Sequence, residues 1–159
     1  MQRRAMLRSG LGLAAAGFAP WAFAHHGWSS FDQDRPIYLE GQAAAVRWQN
    51  PHVEFELQVP SSLALPADLA KRPVPAQSAR IDGQALLSRA TLPTRKDRLW
   101  QIELAPLTRL QSWRVEQIKP GTPVSLLGYT FKEEKGEPIL RAEYLFVDGK
   151  AYGLRSGPA

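Results

Sequence analysis

Cysteine is absent from the chain, and its two methionines, Met1 and Met6, both stand at the start. No disulfide can form, and no lipid-modified cysteine is available. Beyond residue 6 there is no sulfur ligand, which excludes a thiolate or thioether site for Cu(I) built by this chain alone. Any metal site has to use nitrogen and oxygen. A strong basic face, the footprint of a nucleic-acid binder, is missing as well. The 20 Lys+Arg against 15 Asp+Glu give a formal charge of +5. Three of those arginines fall in the first 24 residues, which hold no acid, so 17 basic residues face 15 acidic ones in the remainder, about +2. There is no Gly-rich phosphate loop, no G-x-S-x-G elbow and no internal repeat. No nucleophile–base constellation is visible, so no catalytic residue is assigned and the chain is not expected to be an enzyme.

The opening stretch has the three parts of an export signal. Arg3, Arg4 and Arg8 form a basic head, residues 11–18 a short apolar core, and Ala22-Phe23-Ala24 a small-x-small cleavage site. The apolar core is too short to anchor the chain across a bilayer. Arg3-Arg4-Ala5-Met6-Leu7 is similar to the twin-arginine export motif. The expectation is a signal peptide over residues 1–24, a periplasmic destination, no membrane span after cleavage, and one mature domain over residues 25–159.

Only three histidines occur, His25, His26 and His52, and all lie early in the expected mature chain. Cleavage after Ala24 leaves His25 with a free α-amine. That amine and the His25 Nδ1 close a six-membered ring on one metal ion. The amine has a pKa of about 7.7–8.0, so a metal displaces its proton easily near neutrality. His26 and His52 are the remaining imidazoles, and a set of N and O donors favours Cu(II), with Zn(II) second. Glu54 and Glu56 share the alternation phase of His52 and are placed to orient an imidazole from behind. Trp28 and Trp48 are the aromatics expected nearest a ligand face. The competing reading makes His25 and His26 a frayed terminus, and His52 a hydrogen-bonded residue at a strand start.

Residues 27–36 read as an irregular arm with Trp28 and Phe31 as anchors. Residues 37–48 read as a first strand whose two halves are out of phase, which one inserted residue near Gly41 would reconcile. Gln49-Asn50-Pro51 is a turn. Over residues 52–59, Val53, Phe55, Leu57 and Val59 alternate with His52, Glu54, Glu56 and Gln58, the pattern of a half-buried strand. Residues 60–98, rich in proline, read as a mobile surface insertion, within which residues 85–90 are open between a helical turn and part of an added strand. A third strand covers residues 99–104. Pro106 opens a helix that carries Leu107, Leu110 and Trp113 on one face. Strands follow at residues 124–131 and 139–147, with a tight turn at Asp148-Gly149, a brief pairing at 150–154, and a tail from Arg155. Five strands with a helix between the third and fourth is the order of an OB-like Greek-key barrel; an SH3-like barrel, the nearest competitor, lacks that helix. The expected core includes Leu39, Val46, Phe55, Leu57, Ile102, Leu104, Val124, Leu126 and Leu140.

The residues His25-His26-Gly27, Phe31-Asp32, Leu39-x-Gly41, Trp48-x-Asn50-Pro51-His52, Trp113, Lys119-Pro120-Gly121, Val124 and Gly128 resemble, in combination, an uncharacterised family of exported bacterial proteins. Gly27, where serine is commoner, and the segment 60–98 depart from that pattern. The resemblance implies an exported small β-barrel and supplies no activity. Two function classes follow: a periplasmic metal-binding module for sequestration, delivery or sensing, or a metal-free OB-type module that binds a small ligand, a peptide or an envelope protein.

Overall fold

The structure is a computed structural model that describes residues 27–159. The expected signal peptide and cleavage site, with His25 and His26, lie outside the described residues. The strands are β1 (Ile37–Arg47), β2 (Glu54–Gln58), β3 (Leu99–Glu103), β4 (Pro123–Tyr129), β5 (Ile139–Val147) and β6 (Lys150–Gly153). Two short helices, α1 (Gly83–Ser88) and α2 (Leu107–Ser112), precede β3 and β4 respectively. The sheet order is β3-β2-β1-β4-β5-β6, and β3 closes on β5 in parallel. One edge of β5 pairs with β4. The other pairs with β3 at Ile139–Arg141 and with β6 at Tyr144–Val147. This is the closed five-strand barrel expected from the element order, with β6 added as a short hairpin. That hairpin turns at Asp148 and Gly149, both at positive φ (51° and 72°), the conformation two-residue hairpins favour.

The barrel interior is filled by the residues that alternate inward. Leu39, Phe55, Leu57, Trp100, Ile102, Leu126 and Leu140 are all at most 1% exposed, a continuous apolar core whose burial drives the fold. The whole expected core set is buried except Val46, which packs against it only partly covered. The polar phase of β2 carries Glu54 and Glu56, as the alternation predicts.

Four expectations change. The extra residue in β1 sits between Ala44 and Arg47, where the register against β2 shifts and Ala45 takes φ 44°. Gly41 serves a different need: a Cβ there would lie 2.1 Å from the Gln58 carbonyl oxygen, so the backbones of β1 and the end of β2 approach as only glycine permits. The segment 60–98 is no loose excursion. Its Leu69, Leu86 and Leu87 are buried, and they form a second core with Phe31, Tyr38, Leu127, Tyr129 and Tyr144 on the outer face of β1, β4 and β5. Asp82 caps α1 by accepting the Ala85 N–H at 2.9 Å. The residues after β6 are likewise tied down. The Ser78 N–H donates to the Gly157 carbonyl, and the Trp113 indole N–H to the Ser156 carbonyl.

Candidate functional site

At the end of the barrel where β2 begins, four strands place charged residues in one cross-strand row. Arg47 on β1 faces Glu54 on β2, Glu54 faces Glu103 on β3, and Glu103 faces Arg141 on β5. Two acids side by side repel, and each is answered by an arginine. Arg47 pairs with Glu54, and Arg141 Nη1 lies 3.4 Å from Glu103 Oε2. Both members of the second pair are buried, with side chains 8% and 7% exposed. Burial pushes the Arg141 guanidinium below its ordinary pKa, and the Glu103 carboxylate pulls it back up. An arginine stays charged even so.

His52 stands in the turn before β2 and is half-buried. Its Nε2 lies 3.4 Å from Arg141 Nη2. A guanidinium only donates, so the neutral imidazole accepts at Nε2 and carries its proton on Nδ1. The preceding turn is held by Asn50, whose Oδ1 accepts the Leu107 N–H at 3.1 Å and so ties this loop to the start of α2.

The arm reaches this end of the barrel from the other side. Phe31 is buried and stacks on Phe131 at 5.1 Å, and the Asp32 N–H donates to the Thr130 carbonyl at 2.9 Å. Trp28 lies between two cations: Arg141 Cζ is 4.6 Å and Arg155 Cζ 3.6 Å from its ring centroid. The Tyr129 ring meets it edge-on at 6.3 Å. Arg155 is aimed by Glu143, a fully buried carboxylate on β5 that accepts from Arg155 Nε at 2.9 Å and from Gln77 Nε2 at 3.2 Å. Gln33 completes the clasp. It donates to the Trp28 carbonyl at 3.2 Å and accepts from Arg155 Nη1 at 3.0 Å. Burial, with the Glu143 charge second, pushes the Tyr129 hydroxyl up to about 12.

The structure therefore joins Trp28 and His52 through a single guanidinium. Of the other expected residues, His25 and His26 lie outside the described ones, and Glu54 stands in the same cross-strand row as Glu103 and Arg141. Glu54 is engaged with Arg47, Glu56 lies further along β2, and Trp48 packs against the interior core. No group of three His, Cys, Asp or Glu residues suited to a metal lies among the described residues. Sequence reasoning missed Arg141, Glu103, Arg155 and Glu143. The available signal was the Arg141-Ala142-Glu143 run inside an otherwise apolar strand, since buried charges need partners.

A dication on His52 Nε2 displaces Arg141, and one on Nδ1 moves the ring proton to Nε2, where it faces the same guanidinium. At about 5 Å and an effective dielectric of 20, each unit of like charge costs about 3 kcal/mol. Glu54 and Glu103 offset part of that cost. His52 thus fits as a metal-binding nitrogen only if Arg141 turns aside.

Together the geometry defines an OB-like barrel whose N-terminal arm is docked across one open end. One third of the chain matches a known family model: residues 13–65 match DUF6152, a family of unknown function. The match takes in the arm, β1, the His52 turn and β2, and ends before Glu103, Arg141 and Arg155. No curated protein and no solved structure matches the chain. Among the described residues, no helix is long and apolar enough to cross a membrane.

Proposed function

We propose that this chain is an exported, periplasmic metal-binding module. It would hold Cu(II), with Zn(II) the weaker choice, for sequestration, delivery or sensing. The grip comes from the α-amine and imidazole of His25 after cleavage behind Ala24, joined by His26 or His52. One observation carries the reading: Trp28 is clasped between Arg141 and Arg155, and the same Arg141 touches His52. The three residues His25 to Gly27 reach about 10 Å when extended, so an anchored Trp28 would leave the new terminus within reach of the third imidazole. Without such an anchor a terminal chelate is a floppy peptide that pays the full ordering cost on binding. When bound, the metal would supply a Lewis-acidic or redox-active centre. The residues described here would fix the arm and shape its surroundings.

The test compares a protein beginning at His25 with one carrying an additional Ala before it. The addition keeps every imidazole and removes only the amine of the His25 chelate. Cu(II) affinity, read by calorimetry or ligand competition, should fall at least tenfold, about 1.4 kcal/mol. His52→Ala should weaken binding further. Equal affinities in the two proteins would remove the amine from the site, and absence of binding in both would eliminate the metal reading.

A further inference from the structure

A cavity of about 860 Å³ opens at the end of the barrel away from His52. Strand β2 runs between the two places: His52 precedes it and Gln58, its last residue, lines the cavity. Six residues of extended chain cover about 20 Å, so the two sites are separate. The volume falls in the range of small-molecule pockets, roughly 300–1,000 Å³. Val59, Val124 and Val147 are buried in its wall, and half-buried Phe146 adds an aromatic surface. Gly41 contributes backbone where a side chain would meet Gln58.

The polar groups around this apolar wall are unequal. Arg72 is held by Asp68 through two hydrogen bonds, at 3.0 and 3.2 Å, and lies 5.8 Å from the Phe146 ring centroid. Glu40 accepts the Tyr38 hydroxyl at 2.6 Å. Asp148 opens the tight turn into β6. Among the described residues, Arg98 donates only its Nε, to the Val59 carbonyl at 3.4 Å, and neither Arg98 nor Lys150 forms an ion pair. Among the described residues, two cations at the cavity thus have no ion-pair partner, next to a wall that offers apolar contact.

We propose that this cavity binds a small amphipathic anion, its apolar body against Val59, Val124 and Phe146 and its single acidic group on Arg98 and Lys150. The proposal is independent of the metal site. Apolar burial supplies most of the affinity, as in ligand pockets generally. The two exposed cations add specificity for charge, because exposed ion pairs contribute little each.

A matched pair of fluorescent probes tests this on the full chain at physiological salt. The first is 8-anilino-1-naphthalenesulfonate. The second is N-phenyl-1-naphthylamine, the same ring system without the sulfonate. The anionic probe should bind saturably at one site and about fivefold more tightly than the neutral one, the effect of two exposed pairs. The double substitution Arg98→Gln with Lys150→Gln should bring the anionic probe down to the affinity of the neutral one and leave the neutral one unchanged. Lys132→Gln with Lys135→Gln makes the same charge change elsewhere and should alter neither. The proposal is overturned if neither probe binds saturably, if both bind equally, if the cavity variant matches the parent protein, or if the distant variant weakens the anionic probe as much as the cavity variant does.

Discussion

Glu134 offers the sharpest test of how the segment 60–98 is joined to the barrel. Its side chain is 3% exposed. The carboxylate accepts the Thr94 N–H at 2.9 and 3.0 Å and the Arg95 N–H at 2.9 Å, and it pairs with Arg35. One group thereby links the end of the inserted segment, the entry to β1 and the β4–β5 connection. Arg95 returns the contact by donating to the Glu134 and Gly136 carbonyls at 2.9 and 3.0 Å. Glu134→Ala leaves the Thr94 and Arg95 amides without their acceptor, while half-exposed Arg35 keeps the Leu92 carbonyl at 3.2 Å. A buried donor left without its acceptor costs about 1–3 kcal/mol for each of the two amides. Glu134→Gln keeps one acceptor oxygen and loses the charge, which should cost about 1.5–3 kcal/mol, the range for hydrogen bonds to charged groups. The pH dependence has a definite sign. Burial alone would raise the pKa of Glu134, but the Arg95 and Thr94 amides and Arg35 outweigh it and hold the carboxyl below its ordinary 4.5. A depressed folded-state pKa contributes stability that is complete above the unfolded value and is lost as pH falls through the folded one. Urea unfolding followed by tryptophan fluorescence should therefore show a parent-to-Gln difference that is flat near neutrality and shrinks below about pH 4. A cost under 1 kcal/mol for Glu134→Ala, or a parent-to-Gln difference indifferent to acid, would refute the clamp.

Leu87→Ala, in α1 and 2% exposed, should cost about 2–5 kcal/mol in the same urea assay; a value below 1 kcal/mol would return the segment 60–98 to the status of a loose excursion. Trp28→Ala removes two cation–π contacts worth about 0.5–2 kcal/mol each. Hydrogen exchange at the Asp32 amide, which donates to Thr130, should speed up at least tenfold while the β2 amides keep their rates, and unchanged exchange would mean that Phe31 alone docks the arm.

Much of the barrel was legible because its signals are local. Val53, Phe55, Leu57 and Val59 alternate cleanly, and period two depends on the pleat alone. Pro106 ahead of Leu107 and Leu110, and Asp148-Gly149 between two apolar runs, are chain-local devices as well. The bulge was legible as a need but not as a place. Val46 and Trp48 run out of phase with Leu39, yet the extra residue lies between Ala44 and Arg47, because register against β2 decides it. The second core left a trace that was not used. Leu126-Leu127 on β4 and Tyr144-Leu145-Phe146-Val147 on β5 are apolar in both phases, the pattern of strands covered on both faces. Leu69, Leu86 and Leu87 are what covers them.

The sequence by itself determined which donors the chain offers beyond residue 6, nitrogen and oxygen without sulfur, and the order of the five barrel strands with the helix before β4. Composition and period are properties of the chain and survive in any conformation. Only the tertiary structure decided that Arg141 stands between Trp28 and His52, that Arg155 closes on the other face of the indole, and that a cavity opens at the far end of β2. Those neighbours come from segments as far apart as the arm and the last residues. Their meeting depends on barrel closure through β3 and β5, on the register shift within β5, and on the desolvation that forces each buried charge to find a partner.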